Sequence, residues 1–145
     1  MKTALLDVNV LVALLWPAQE SHPKAQNWFK RRSAEGWATC PLTQAGFVRI
    51  VSNPAFSPSA VSPGEATQAL RKSLAHPNHE YWPADVSYLE ATDPFGNQIV
   101  GHKQVSDAYL LGLAIHHGGS LVTMDRGILE LLPAKMQQRG LVTLL

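Results

Sequence analysis

An α/β domain built on a mainly parallel sheet is the fold this sequence predicts, on three observations. Short β-prone runs at Thr3–Leu6, Trp37–Cys40 and Leu121–Met124 alternate with segments whose apolar residues recur at helical spacing. Proline, glycine and serine punctuate the joints between them. The length, 145 residues, suits one such domain, enough to bury roughly two thirds of the unfolded surface around one core. Tyr81–Trp82 and Leu141–Leu145 add two further short strands, so a sheet of four or five is expected and residues 1–145 read as a single domain.

Taken in order, the first strand runs straight into a helix over Val8–Leu15, stopped by Pro17. Ser21 is placed to cap a helix over His22–Ala34, with Pro23 tolerated in its first turn and Ala25, Trp28 and Phe29 forming one apolar face. Lys24, Lys30, Arg31 and Arg32 share its other surface and read as a solvated face. Gly36 ends that helix. Pro41–Val51 starts a third, in which Gln44, Phe47, Val48 and Val51 fall along one side, so Gln44 points inward at its start. Ser52–Pro63 reads as loop, Gly64–Leu74 as an amphipathic surface helix, Val86–Thr92 as a brief helix and Pro94–Lys103 as loop. A helix over Val105–His117 closes at Gly118–Gly119, and Gly127–Leu132 forms a last short helix before Pro133.

Composition narrows the class. Hydrophobic residues make up 46% of the chain and mean hydropathy is near zero, as in ordinary globular proteins. No apolar run reaches the roughly 18 residues of a membrane span. Asp7 interrupts the first apolar stretch too early for a secretory signal, and the chain reads as cytoplasmic. Cys40 is the only cysteine, which excludes a disulfide framework and a thiolate metal cluster. A net charge of +1 is too small for binding nucleic acid through bulk charge, so any such contact must use local cations or a metal.

The acids carry the chemistry. An ionised carboxylate in low dielectric costs several kcal/mol unless paired, yet Asp7 sits inside Thr3–Leu15, an almost wholly apolar run. A helix N-cap is one explanation. Asp107 and Asp125 repeat the arrangement in Gln104–Ile115 and Ser120–Asp125, so three of the five aspartates lie in apolar sequence. Asp7 and Asp125 each end a strand, where open α/β sheets bind ligands, and Asp107 opens a helix. Neighbouring strands would bring all three together, with repulsion of about 1 to 4 kcal/mol per pair at about 4 Å. A divalent cation relieves it, and hard oxygen donors favour Mg²⁺, with Mn²⁺ as a substitute. That chemistry suits phosphodiester hydrolysis by metal-activated water. Asn9 and Thr123, each two residues from an acid, are placed either to orient a carboxylate or to cap locally. Arg49, Lys103 and Arg126 are candidate contacts to a nucleic-acid backbone, each also readable as an ordinary surface charge.

Leu-Leu-Asp7-Val-Asn9, Pro41-Leu-Thr-Gln44-Ala-Gly-Phe-Val-Arg49, Val-Ser-Asp107-Ala-Tyr-Leu-Leu and Leu-Val-Thr123-Met-Asp125-Arg-Gly resemble, in order and spacing, the motifs of the PIN-domain family and most closely its VapC toxins. The resemblance covers nearly the whole chain. It implies a three-layer α/β/α sandwich, a Mg²⁺-dependent endoribonuclease of a type II toxin–antitoxin system, commonly a homodimer, and inhibition by a VapB-type antitoxin. Asp7, Asp107 and Asp125 match the family's acidic positions. Gln44 stands where the family commonly has glutamate, which would lower the site's formal charge from about −4 to −3 and raise its Mg²⁺ requirement.

Two rivals fit less well. A receiver or a haloacid-dehalogenase-type phosphatase also sets aspartates at strand ends, but the phosphatase needs an acid where Asn9 stands and the receiver a lysine after a late strand. A PIN-like module that binds RNA or a partner without cutting it is the alternative within the family.

Overall fold

The computed structural model describes residues 2–145. Five parallel strands form one sheet in the order β3-β2-β1-β4-β5: β1 Ala4–Leu6, β2 Trp37–Thr39, β3 His79–Tyr81, β4 Ser120–Thr123 and β5 Val142–Leu144. Alternate residues of the central strands feed opposite cores, as the twofold period of a strand requires. Leu5, Ala38 and Leu121 pack on one side, Ala4, Leu6, Trp37 and Val122 on the other.

Helices α1 (Val8–Leu15), α2 (His22–Arg32), α3 (Pro41–Val51) and α4 (Pro63–Ser73) cover the second face; α5 (Tyr88–Thr92) and α6 (Val105–His116) cover the first. The result is the expected three-layer α/β/α sandwich. Sequence dictates several ends directly. Ser62 accepts from the Glu65 N–H while Glu65 returns a bond to the Ser62 N–H, a reciprocal cap that starts α4.

Three elements differ from expectation. The third strand lies at His79–Tyr81, two residues before the predicted Tyr81–Trp82, because an edge strand exposed to solvent need not be apolar. Pro94–Lys103 contains 3₁₀ turns, Asp93–Gln98 and His102–Gln104, rather than open loop. Ala134–Arg139, for which the sequence offers no periodicity, forms another.

Strand order positions the site. From β1 the chain steps outward to β2 and β3, then returns to pair β4 against the other side of β1. The carboxyl ends of β1 and β4 therefore flank the point where the winding reverses, which is where such sheets bind ligands. Helix α6 leads into β4 from the opposite direction, so its first turn hangs over the same edge.

Candidate active site at the carboxyl edge of the sheet

Pairing of Leu6 with Val122 sets Asp7 beside Thr123, with Asp125 two residues beyond. Asp7 is 6% exposed and fully bonded. Its Oδ1 accepts from the Val8 N–H at 2.7 Å, and its Oδ2 accepts from the Thr123 hydroxyl at 2.6 Å. Asp7 is thus the N-cap of α1 and also stands in the cluster of acids. Thr123 Oγ1 in turn accepts from the Asp125 N–H at 3.0 Å, so one buried threonine ties two of the acids together. Asp125 Oδ1 accepts from the Gly127 N–H at 2.9 Å.

Asp107, in the first turn of α6, stands close enough to Asp7 and Asp125 to feel both of their charges. Burial, then the Asp7 charge and Asp125, push the Asp107 carboxyl up to about 7. Burial also raises Asp7, opposed by the Thr123 and Val8 bonds and assisted by Asp125. Asp7 and Asp125 thus make ionisation of Asp107 harder, and Asp125 does the same to Asp7.

Asp7 and Asp107 line a cleft of about 480 Å³ with Val8, Ser106, Leu110 and, from α3, Leu42, Ala45, Gly46, Arg49 and Ile50. Packing fixes Gly46 there, because a Cβ at that position would fall 2.8 Å from the Val8 side chain. The lining holds no imidazole or thiol. Three carboxylates gathered on one edge, with no softer donor in the cleft lining, fit a hard divalent cation.

Gln44 is placed elsewhere. Its side chain donates to Thr39 Oγ1 at 2.9 Å and lines a separate groove with Thr67, Leu70 and Arg71 of α4. The sequence reading groups Gln44 with the catalytic acids; in the structure its side-chain bond goes to Thr39, and the next residue, Ala45, lines the cleft. Thr39 is fully buried and also bonds His79 Nε2 at 2.8 Å, so Gln44 belongs to a polar joint linking α3, β2 and β3. Asn9 holds the chain after β4, its Oδ1 accepting from the Met124 N–H at 3.3 Å. Arg49 stands at the cleft wall. Lys103 and Arg126 are exposed, one in the turn before α6 and one next to Asp125, and neither lines the cleft. Ser106, which does line it, was not singled out from sequence because a lone serine carries no pattern.

The family description PIN domain matches residues 4–131, spanning every element that carries the site. The chain belongs to the PIN-domain family. Among similar PIN proteins, Ribonuclease VapC38 of Mycobacterium tuberculosis is 45% identical over 128 residues, covering 88% of this chain and 89% of the relative. Ribonuclease VapC44 of the same species is 42% identical over 125 residues, covering 86% and 87%. In fold, the chain resembles VapBC2 from Rickettsia felis, solved with a promoter DNA fragment, at TM-score 0.63, 14% identity and 97% coverage of both chains. PAE2754 from Pyrobaculum aerophilum gives TM-score 0.61 at 22% identity, covering 97% of this chain and 83% of that one.

Two substitutions test how this PIN site is supported. Thr123→Val removes the bonds that orient Asp7 and Asp125, and is expected to raise the divalent-cation concentration for half-maximal RNA cleavage by about 10- to 100-fold, with Thr123→Ser close to wild type. Gln44→Glu is expected to leave that concentration unchanged. It removes the N–H donor to buried Thr39 and should cost about 1 kcal/mol in a denaturant titration.

Proposed function

We propose that this PIN domain is a Mg²⁺-dependent endoribonuclease, the toxin of a type II toxin–antitoxin pair, in which Asp7, Asp107 and Asp125 hold the cation. The observation that carries this reading is the gathering of three carboxylates from β1, β4 and α6 on one edge, with Asp107 raised to about 7. PIN ribonucleases are metal-dependent as a class, and the names of the VapC relatives support RNA as substrate. Bound there, a Mg²⁺ ion supplies Lewis acidity toward the phosphodiester and offsets its charge.

The chain's own groups do the rest. Thr123 and the Val8 N–H fix the orientation of the Asp7 carboxylate at the cleft. Asp107 joins Asp7 in the cleft, with Asp125 beside them, in an anionic site that takes a cation once the Asp107 proton leaves. Arg49 meets the phosphate backbone at the cleft wall, with Lys103 and Arg126 extending the path outside it. Asn9 and Thr123 keep the end of β4, and with it Asp125, in register.

Residues 1–145 act as one domain in this reading, in the cytoplasm, paired with a second copy and inhibited by a VapB-type antitoxin. The promoter complex of VapBC2 supports the antitoxin as partner class. Among the described residues no helix is long and apolar enough to cross a membrane. Mn²⁺ should substitute for Mg²⁺ because it accepts the same oxygen donors.

The test is cleavage of a structured RNA in Mg²⁺ by the wild type and by Asp7→Asn, which keeps the acceptor that caps α1. Wild-type cleavage that stops with chelator and falls at least about a hundredfold in Asp7→Asn is expected. Equal cleavage by both proteins overturns the assignment, and no cleavage by either leaves a PIN fold that binds without cutting.

A further inference from the structure

We infer that Asp85, His116 and His117 form a second metal site, for a Zn²⁺-class transition ion, distinct from the acidic cluster. Helix α6 ends at His116 and His117 caps it. Across from them the chain leaving β3 brings Asp85 Oδ1 to 3.3 Å from His116 Nε2 and 3.1 Å from His117 Nε2. One donor atom from each residue lies within 4.8 Å of the other two. Tetrahedral ligands about 2.0–2.2 Å from zinc are roughly 3.3 Å apart, so the two carboxylate–imidazole separations already match.

The donors are held before any ion arrives. His117 is stacked on Trp82, ring centres 4.8 Å apart and 11° from parallel, and Trp82 is buried. The Tyr109 hydroxyl donates to the Val86 carbonyl at 2.8 Å, fastening the segment that carries Asp85 to the flank of α6. His116 and Asp85 are exposed enough to leave a fourth position open to water. His117 Nε2 faces two oxygens, Asp85 Oδ1 and the Pro83 carbonyl at 3.2 Å, and an ion that took the nitrogen in place of a proton would leave no donor stranded.

Two imidazoles and one carboxylate select by ligand chemistry. Nitrogen donors favour Zn²⁺, Ni²⁺ and Cu²⁺, whereas Mg²⁺ prefers oxygen. The two sites lie at opposite ends of α6: Asp107 and His116 are nine residues apart, about 14 Å along the helix. An ion at the far end would therefore join the C-terminus of α6 to the β3–α5 connection without entering the cleft.

Calorimetric titration of ZnCl₂ into the tag-free full chain, with Mg²⁺ in excess on both sides, tests the site. One Zn²⁺ per chain is expected, unchanged in Asp7→Asn and at least tenfold weaker in both His116→Gln and Asp85→Asn, which are surface changes that should melt like wild type in chelator. Absence of saturable binding, binding that survives both substitutions, or binding lost in Asp7→Asn would each overturn the proposal.

Discussion

Asp107→Asn is expected to reduce RNA cleavage by at least about a hundredfold while raising the melting temperature of the metal-free protein at pH 8. The two effects have one cause. Burial, Asp7 and Asp125 lift the Asp107 carboxyl from an ordinary 3.8 to about 7. Between those values the folded chain holds a proton that the unfolded chain has released, so the contribution to stability falls as pH rises and is fully unfavourable above about 7. Asparagine has no charge to bury and removes that slope. A Mg²⁺ ion bound as proposed would act in the opposite sense, stabilising the folded state alone and only after Asp107 has lost its proton. Its stabilising effect on the wild type should be larger at pH 8 than at pH 5 and nearly absent in Asp107→Asn. Melting curves at both pH values, with chelator and with Mg²⁺, measure this. A wild type that loses nothing relative to the variant between pH 5 and pH 8 in chelator contradicts the electrostatic account.

Gly112→Ala should give the largest loss of stability from a single methyl group. Gly112 lies in α6 between fully buried Leu111 and Leu113, and a Cβ there would overlap the Ala91 carbonyl oxygen and fall 2.6 Å from its carbon. Those atoms are backbone of α5, so neither partner can turn a side chain aside and the two helices must separate. Overpacking of this kind costs about 3 kcal/mol at its upper range, which for this chain length lowers the melting temperature by roughly 10 °C. Because α6 also carries Asp107, cleavage should fall with it. Gly101→Ala is the control. Nothing lies within 4 Å of its added methyl, and its melting temperature should stay at the wild-type value or slightly above.

The acids were legible from sequence because a charge inside an apolar run needs a physical reason, and strand-to-helix junctions at Asp7 and Asp125 fix which edge they occupy. Strand pairing then does what sequence cannot state, setting Leu6 against Val122 and so Asp7 against Thr123 across 116 positions. Gln44 shows where the reading stops. Helical periodicity put it on the side of Phe47 and Val48, but not on which of two neighbouring grooves that side opens, and the cleft wall is instead made by Ala45 and Gly46, too small to carry a pattern. Asp85 and the His116–His117 pair gave no spacing motif either, since 31 residues separate them and only the folding of the Trp82–Val86 segment against α6 brings them together. The edge strand His79–Tyr81 was misplaced for the related reason that a solvent-facing strand has little hydrophobic pattern to read.

The central claim is that Asp7, Asp107 and Asp125 share one divalent cation, and the most direct measurement is anomalous diffraction from crystals grown with Mn²⁺. The account predicts a manganese peak between the three carboxylates, lost in Asp107→Asn crystals. Ordered crystals at saturating Mn²⁺ with no peak there, or with the three side chains turned away from a common point, would contradict it.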